Sequence, residues 1–317
     1  MKKALIIAEN YNNFNLYINN LKKQKYEITI MTESSNSIKG TTKIKLEKNI
    51  FKKAYTIRKN IKDYDLIYTD ENIIYRIFSK TKTNKTICML NNFKYYREKI
   101  LVMCSSIYIT LNEIENEIVK NKIKKNTVLI RGYGIKEENY TLSLNYKNKL
   151  KEELGILKDD FVLFTNDFNN LELIKYMNDI KDDNLNIKLI INNEISKKEQ
   201  ELIKIYNLDG YIKVVNNKKN DNKLYAISDL YLSTNKKMSF DENLVRALNY
   251  GLPVLAFKNN GNNKMIKNNG YLVNDKISFI DRIETMYYDN KDYKINKNEV
   301  NKNLISNIVK DIEKKLV

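Results

Sequence analysis

Short apolar runs alternate with stretches of helical spacing along most of the chain. ALIIA (4–8) is a continuous apolar run of strand length, and FNLYINNLKKQ (14–24) follows with Phe14, Leu16, Tyr17, Ile18 and Leu21 at helical spacing. EITIMT (27–32) and KIKLE (43–47) read as strands, and FKKAYTIRKNIKDY (51–64) as a basic amphipathic helix. DLIYTD (65–70) is a strand leading into a helix through NIIYRIF. KTICML (85–90), SIYIT (106–110) and NTVLIRG (126–132) are further strands, with a helix over LNEIENEIVKN (111–121).

The pattern pauses at KEENYTLSLNYKNK (136–149), a polar stretch without a long apolar run that reads as a linker. It then restarts with a helix over KLKEELGI and a strand at FVLFTND (161–167). Strands at NIKLIIN (186–192), GYIKVVN (210–216), DLYLST (229–234), PVLAF (253–257) and GYLVN (270–274) are separated by helical segments, and helical patterns at 276–289 and 298–316 close the chain. Strands alternating with helices predict parallel βαβ units. The α/β chain therefore reads as two Rossmann-like, doubly wound domains facing a cleft. Residues 1–142 form the first and 143–317 the second, with the last helix packing back on the first. Such sheets bind ligands outside the carboxyl ends of their strands.

Composition narrows the chemistry. The 317 residues carry 42% hydrophobic and 30% charged side chains, enough for two ordinary domains with real cores. A formal net charge of +17 suits an anionic partner, although the Lys-, Asn- and Ile-rich composition accounts for much of it as a solvated surface. There is no histidine, so any acid–base work falls to carboxylates, lysines, tyrosines or the substrate itself. Cys88 and Cys104 lie beside apolar residues and read as buried thiols without disulfide or zinc spacing. The apolar run within MKKALIIAEN stops at Glu9, too early for a signal peptide, and no stretch is long enough to span a bilayer. A cytoplasmic protein, peripheral at the inner membrane face, is the expectation. AENYNNFN after the first strand contains no glycine, which argues against a dinucleotide fingerprint, and there is no Walker A motif.

SFDENLVRALNYGLPVLAF (239–257) is the most specified segment. Ser239 and Glu242 fit a capping box, and Leu244, Val245 and Leu248 make one apolar helix face. Gly251 suits the left-handed stop of the helix, and Pro253, the only proline, starts a buried strand. As a helix–turn–strand unit of an α/β domain the segment is complete in itself.

With its surroundings, however, SDLYLSTNKKMSFDENLVRALNYGLPVLAFKNNGNNKMIKNNGYLV (228–273) resembles the C-terminal signature of GT-B glycosyltransferases, the retaining family-four type. ITLNEIENEIVKNKIKKNTVLIRGYGI (109–135) and KLKEELGILKDDFVLFTND (149–167) extend the likeness to the end of the first domain and the start of the second. The resemblance implies a GT-B fold and transfer of a sugar from a nucleoside diphosphate sugar to a glycan, lipid-linked or protein acceptor. The donor is a substrate, and no cofactor or metal is expected.

The family's acidic and basic site residues are replaced. Its two glutamates around the phosphate helix correspond to Met238 and Arg246, and its arginine after the first strand of the second domain lies near Asn166. Its proline–serine pair is Ser233-Thr234, and the acid of its later glycine turn is Lys264. The donor site implied is assigned to Arg246, Lys236, Lys237, Glu242 and Asn243 around the helix, and to Asn166. No catalytic residue is assigned. Arg246 is open to two readings, a phosphate contact or an ion pair with Glu242 four residues earlier.

Two alternatives stand beside the transferase. One is a catalytically inactive GT-B-like partner or acceptor-binding subunit of an active transferase. The other is binding to an anionic surface through FKKAYTIRKNIK (51–62) or NNFKYYREKILV (91–102). The expected surface is a membrane, and nucleic acid is not expected.

Overall fold

The computed structural model describes residues 2–9, 11–70, 72–79, 85–90, 107–110, 116–123, 126–129, 142–167, 170–181, 185–216, 221–236, 241–259, 262–263, 266, 269–289 and 304–316. The chain divides into two compact units: residues 1–137 with 301–317, and residues 138–300.

The first unit is built on a parallel sheet of β1 (Lys3–Ile7), β2 (Glu27–Thr32), β3 (Thr42–Lys45), β4 (Leu66–Thr69), β5 (Lys85–Leu90), β6 (Ile107–Thr110) and β7 (Asn126–Leu129), in the order β3-β2-β1-β4-β5-β6-β7. Ala4 pairs with Ile28 on one side and Leu66 on the other, so β1 is central. A strand covered on both faces must be apolar at every position, which is why ALII lacks the polar alternation of a half-exposed strand. Ala4 and Ile6 face a core shared with Tyr17, Ile18 and Leu21 of α1 (Asn15–Lys23). Ile308, Val309 and Ile312 of the last helix (Ile305–Leu316) complete that layer. Leu5 and Ile7 face the opposite core, with Ile57 of α2 (Ile50–Asn60) and Tyr75 of α3 (Ile73–Ser79).

The second unit opens with α4 (Leu144–Glu153), capped by Ser143, whose hydroxyl accepts the amide of Tyr146 at 3.4 Å. The helix therefore begins inside the stretch that reads as linker. Its low apolar content concealed it, since only Leu150 is buried. A parallel sheet follows: β8 (Phe161–Thr165), β9 (Ile187–Ile191), β10 (Ile212–Val214), β11 (Leu230–Ser233), β12 (Val254–Phe257) and β13 (Gly270–Val273), in the order β10-β9-β8-β11-β12-β13. Helices α5 (Leu171–Lys181), α6 (Lys197–Ile205), α7 (Asp221–Ile227), α8 (Glu242–Asn249) and α9 (Lys276–Tyr288) connect and cover it.

In each sheet the strand order reverses once, between β1 and β4 in the first and between β8 and β11 in the second. Diverging crossovers open a crevice at the carboxyl ends of the two strands at such a point. Cys88 on β5 is buried and outside any disulfide, while Cys104 lies outside the described residues. Among the described residues no helix is long and apolar enough to cross a membrane.

Candidate functional site

The switch point of the second sheet gathers polar side chains from strands far apart in sequence. β8 ends in Thr165, followed by Asn166 and Asp167, and β9 is followed by Asn192 and Asn193. β11 ends in Ser233, followed by Thr234, and α8 begins after Asp241. Asn166, Asn193 and Asp241 are buried, and Ser233 is fully so. Buried polar groups need partners, and most of these are held by one another.

Asp241, not Ser239, caps α8: its carboxylate accepts the Leu244 amide at 3.0 Å and the Ser233 hydroxyl at 2.6 Å. Ser239 and Lys237 lie outside the described residues, as do Met238 and Lys264. Asp and Ser are equally good caps, so the local pattern did not separate them; the tie to Ser233 on β11 did. The other end of α8 follows the sequence expectation. Gly251 has φ +84, its amide reaches Leu248 O at 3.2 Å, and the Leu252 amide reaches Ala247 O at 3.0 Å, the paired bonds of a Schellman stop. Leu244, Val245, Ala247 and Leu248 are buried, each Leu or Val worth about 1.5–3 kcal/mol of apolar burial.

A second carboxylate faces the same strand end. Asp167 accepts from the Thr234 amide at 2.7 Å and its hydroxyl at 2.9 Å. Burial, and then the charge of Asp241, push the Asp167 carboxyl up to about 7. Burial also raises Asp241, against the lowering effect of its bonds from Ser233 and Leu244. Two buried acids that repel each other hold a proton near neutrality. This edge of the site can then donate as well as accept a hydrogen bond.

Asp221, not Glu242, makes the two-pronged contact with Arg246. The two terminal nitrogens of Arg246 bind the carboxylate of Asp221, on α7, at 2.6 and 2.9 Å. Its guanidinium also lies 5.1 Å from the ring centroid of Tyr225. Tyr225 stacks on Tyr250 at 5.0 Å with rings 6° apart, and its hydroxyl donates to the Asn243 carbonyl at 3.3 Å. Asn166 donates its amide nitrogen to the Tyr225 hydroxyl at 3.0 Å. Arg246, Asn166 and Asn243 are thus joined through one tyrosine that the sequence reading passed over. Glu242 is exposed at the first turn of α8. Lys236 extends elsewhere, with its ammonium 4.2 Å from the centroid of the Phe257 ring. Asn193 donates to the backbone oxygens of Asn166 at 2.6 Å and Asp167 at 3.1 Å, fixing the turn after β8.

Asp167, Asp221, Tyr225 and Asn193 are the site residues the sequence reading missed. Strand-end position was the available signal for Asp167 and Asn193. Nothing local marked Asp221 or Tyr225, which reach the site from α7. Among the described residues no group of three or more His, Cys, Asp or Glu side chains is placed to hold a metal ion. The first sheet shows a related arrangement at its own switch point. The Glu9 amide donates to Asp70 at 2.7 Å, and burial raises the Asp70 carboxyl to about 6.

Two Rossmann-like domains in one chain, each with a doubly wound parallel sheet, define the GT-B class of fold. Residues 147–303, most of the second unit, match the family model described as Glycosyl transferases group 1, a match that together with the two-domain fold supports a GT-B group 1 type. HepE from Anabaena, solved in complex with UDP and glucose, superposes over 100% of this chain and 99% of its own, with a TM-score of 0.79 at 16% identity. Sucrose-phosphate synthase from Thermosynechococcus elongatus superposes over 99% of this chain and 98% of its own, with a TM-score of 0.69 at 12% identity. The lipopolysaccharide outer core galactosyltransferase WaaB covers 99% of each chain, with a TM-score of 0.66 at 11% identity. No curated protein matches the sequence significantly.

Proposed function

We propose that this protein transfers a sugar from a nucleoside diphosphate sugar, bound at the second switch point, to a glycan, lipid-linked or protein acceptor. The observation that carries the reading is the end-to-end likeness to a chain solved with UDP and glucose, joined to the polar side chains gathered at the β8/β11 switch point.

A diphosphate leaving group brings about two negative charges that the site must offset. The candidates are Arg246, released from Asp221, with Lys236 and Lys237. One proton on the Asp167/Asp241 pair halves the negative charge those acids present to a diphosphate. In this reading Asn166 and Asn243 supply amide hydrogen bonds, and Glu242 is the proposed partner of a donor hydroxyl. The proposed reaction uses no metal or other cofactor, and donor turnover unchanged by a chelator is the matching expectation. A cytoplasmic location, where nucleotide sugars are made, goes with this reading.

One observation favours a second reading, an inactive GT-B-like partner of an active transferase. Asp241 occupies the Leu244 amide at the start of α8, and Asp221 occupies Arg246, so the groups that would meet a diphosphate already have internal partners.

Thermal unfolding with UDP-, GDP- and ADP-sugars, followed by assay of donor hydrolysis, separates the two. A ligand at 100 times its dissociation constant adds about 2.7 kcal/mol of stability. A shift with turnover supports the transferase, a shift without turnover the inactive partner. No shift with any donor rejects a nucleotide-sugar site.

A further inference from the structure

The outer face of α2 presents large apolar side chains inside a field of positive charge. Asn49 fixes the start of the helix by accepting the amides of Phe51 at 3.0 Å and Lys52 at 3.2 Å. Lys53, Ala54 and Ile57 then face inward, and the Lys53 ammonium is held by Glu33. That orientation sends Phe51 and Tyr55, one turn apart, into solvent. Phe51 is 84% exposed, Tyr55 67% and the adjoining Ile50 57%.

Single exposed apolar residues need no explanation. Here three share one helix end, Arg58 and Lys59 continue the same side of the helix at the following turns, and Lys62 follows in the short 3-10 turn Ile61–Asp63; all three cations are exposed, with the Arg58 guanidinium 5.7 Å from the Phe78 ring centroid. Among the described residues Lys59 and Lys62 make no ion pair. Residues 43–62 contain eight Lys and Arg against one acid, Glu47, which pairs with Lys52 at 3.0 Å. Asp63 is the next acid along the chain.

We infer that this face of α2 is a docking surface for an anionic membrane. Aromatic and aliphatic side chains ringed by Lys and Arg suit the headgroup boundary, where the apolar groups enter and the cations stay among the phosphates. A protein interface of comparable size is depleted in lysine at its core. Single-stranded nucleic acid is held in a basic groove with stacked bases rather than on the convex side of one helix. The inference rests on α2 alone and stands or falls separately from the donor site.

The test uses the full chain and vesicles of phosphatidylcholine, with or without an equal amount of phosphatidylglycerol. The protein should float with the anionic vesicles only, and added salt should weaken the association. Phe51→Ser with Tyr55→Ser should reduce partitioning at least tenfold with the net charge unchanged. Lys59→Glu with Lys62→Glu should reduce it by roughly fivefold or more for each cation removed. All four side chains are exposed, and unchanged melting temperatures would show that the variants fold. The chain has no tryptophan, so Phe51→Trp supplies a single reporter whose emission should shift to the blue on binding. Failure to float, flotation undiminished by the Phe51/Tyr55 change, or an unshifted emission from the Phe51→Trp variant would each overturn the inference. Tighter binding to single-stranded RNA than to the anionic vesicles would overturn it as well.

Discussion

Asp221 grips the guanidinium of Arg246 through two hydrogen bonds, 2.6 and 2.9 Å long, across 25 residues of sequence. The side chains are 22% exposed for Arg246 and 16% for Asp221, so the pair is largely screened from water without being sealed from it. Asp221→Ala should destabilise the second domain by about 1–3 kcal/mol, the range for losing charged hydrogen bonds, read as a lower urea midpoint. Arg246→Lys should recover only part of that bond, because an ammonium cannot make the two-pronged contact. If Arg246 meets the donor, Arg246→Ala should also abolish the thermal shift given by a UDP-sugar. Retention of that shift would remove Arg246 from the proposed site.

The acid pair at the switch point predicts a pH effect on stability. Asp167 is raised from its ordinary carboxylate range to about 7. Between those limits the folded state holds a proton that the unfolded state has released. This stabilising contribution is therefore full below the unfolded pKa and is lost as pH rises towards 7. Asp167→Asn keeps a side-chain oxygen for Thr234 but cannot ionise. Its urea midpoint should fall less than that of the wild type between about pH 5 and about pH 8. Parallel profiles for the two proteins would show that Asp167 titrates normally.

The same pair bears on the proposed donor. If a diphosphate binds beside Asp167 and Asp241, its affinity should rise as the pair takes up a proton. Titration calorimetry with UDP should show tightening as pH falls below 7, at most about tenfold per pH unit for each proton linked. Proton uptake should appear as a dependence of the binding heat on buffer. An affinity flat in pH, with no buffer dependence, would place the diphosphate away from these acids.

Gly270 opens β13 with φ +158, and a Cβ there would lie 1.9 Å from the Val254 carbonyl oxygen on β12. The obstacle is backbone in a paired strand, which cannot rotate aside. Gly270→Ala should cost about 1–3 kcal/mol or more, as overpacking does, seen as a lowered melting temperature. An unchanged melting temperature would mean that β13 tolerates a shift away from β12.

Much of the fold was readable from one dimension because strands buried on both faces are apolar throughout. ALII, EITIMT, LIYT and FVLFT announce themselves, and each coincides with an observed strand. The start of the helix at Leu144–Glu153 was read as linker because its first turns are almost wholly polar; only the part from Lys149 was legible as helix. The site was only half legible. The α8 unit with Gly251 was readable because a helix stop is a local matter of φ and nearby amides. The choice of Asp241 over Ser239 as cap, and of Asp221 over Glu242 as partner for Arg246, was not.

Sequence alone determined the α/β alternation, the two-part division and the absence of histidine. These follow from residue identity and from spacing of a few residues. Tertiary structure decided which carboxylate holds Arg246, that Tyr225 links it to Asn166, and that Asp167 and Asp241 share one strand end. It also decided that Phe51 and Tyr55 face water. Burial and charge contact depend on which residues a parallel sheet brings side by side, and strand order is set by packing of the whole domain rather than by any local stretch of chain.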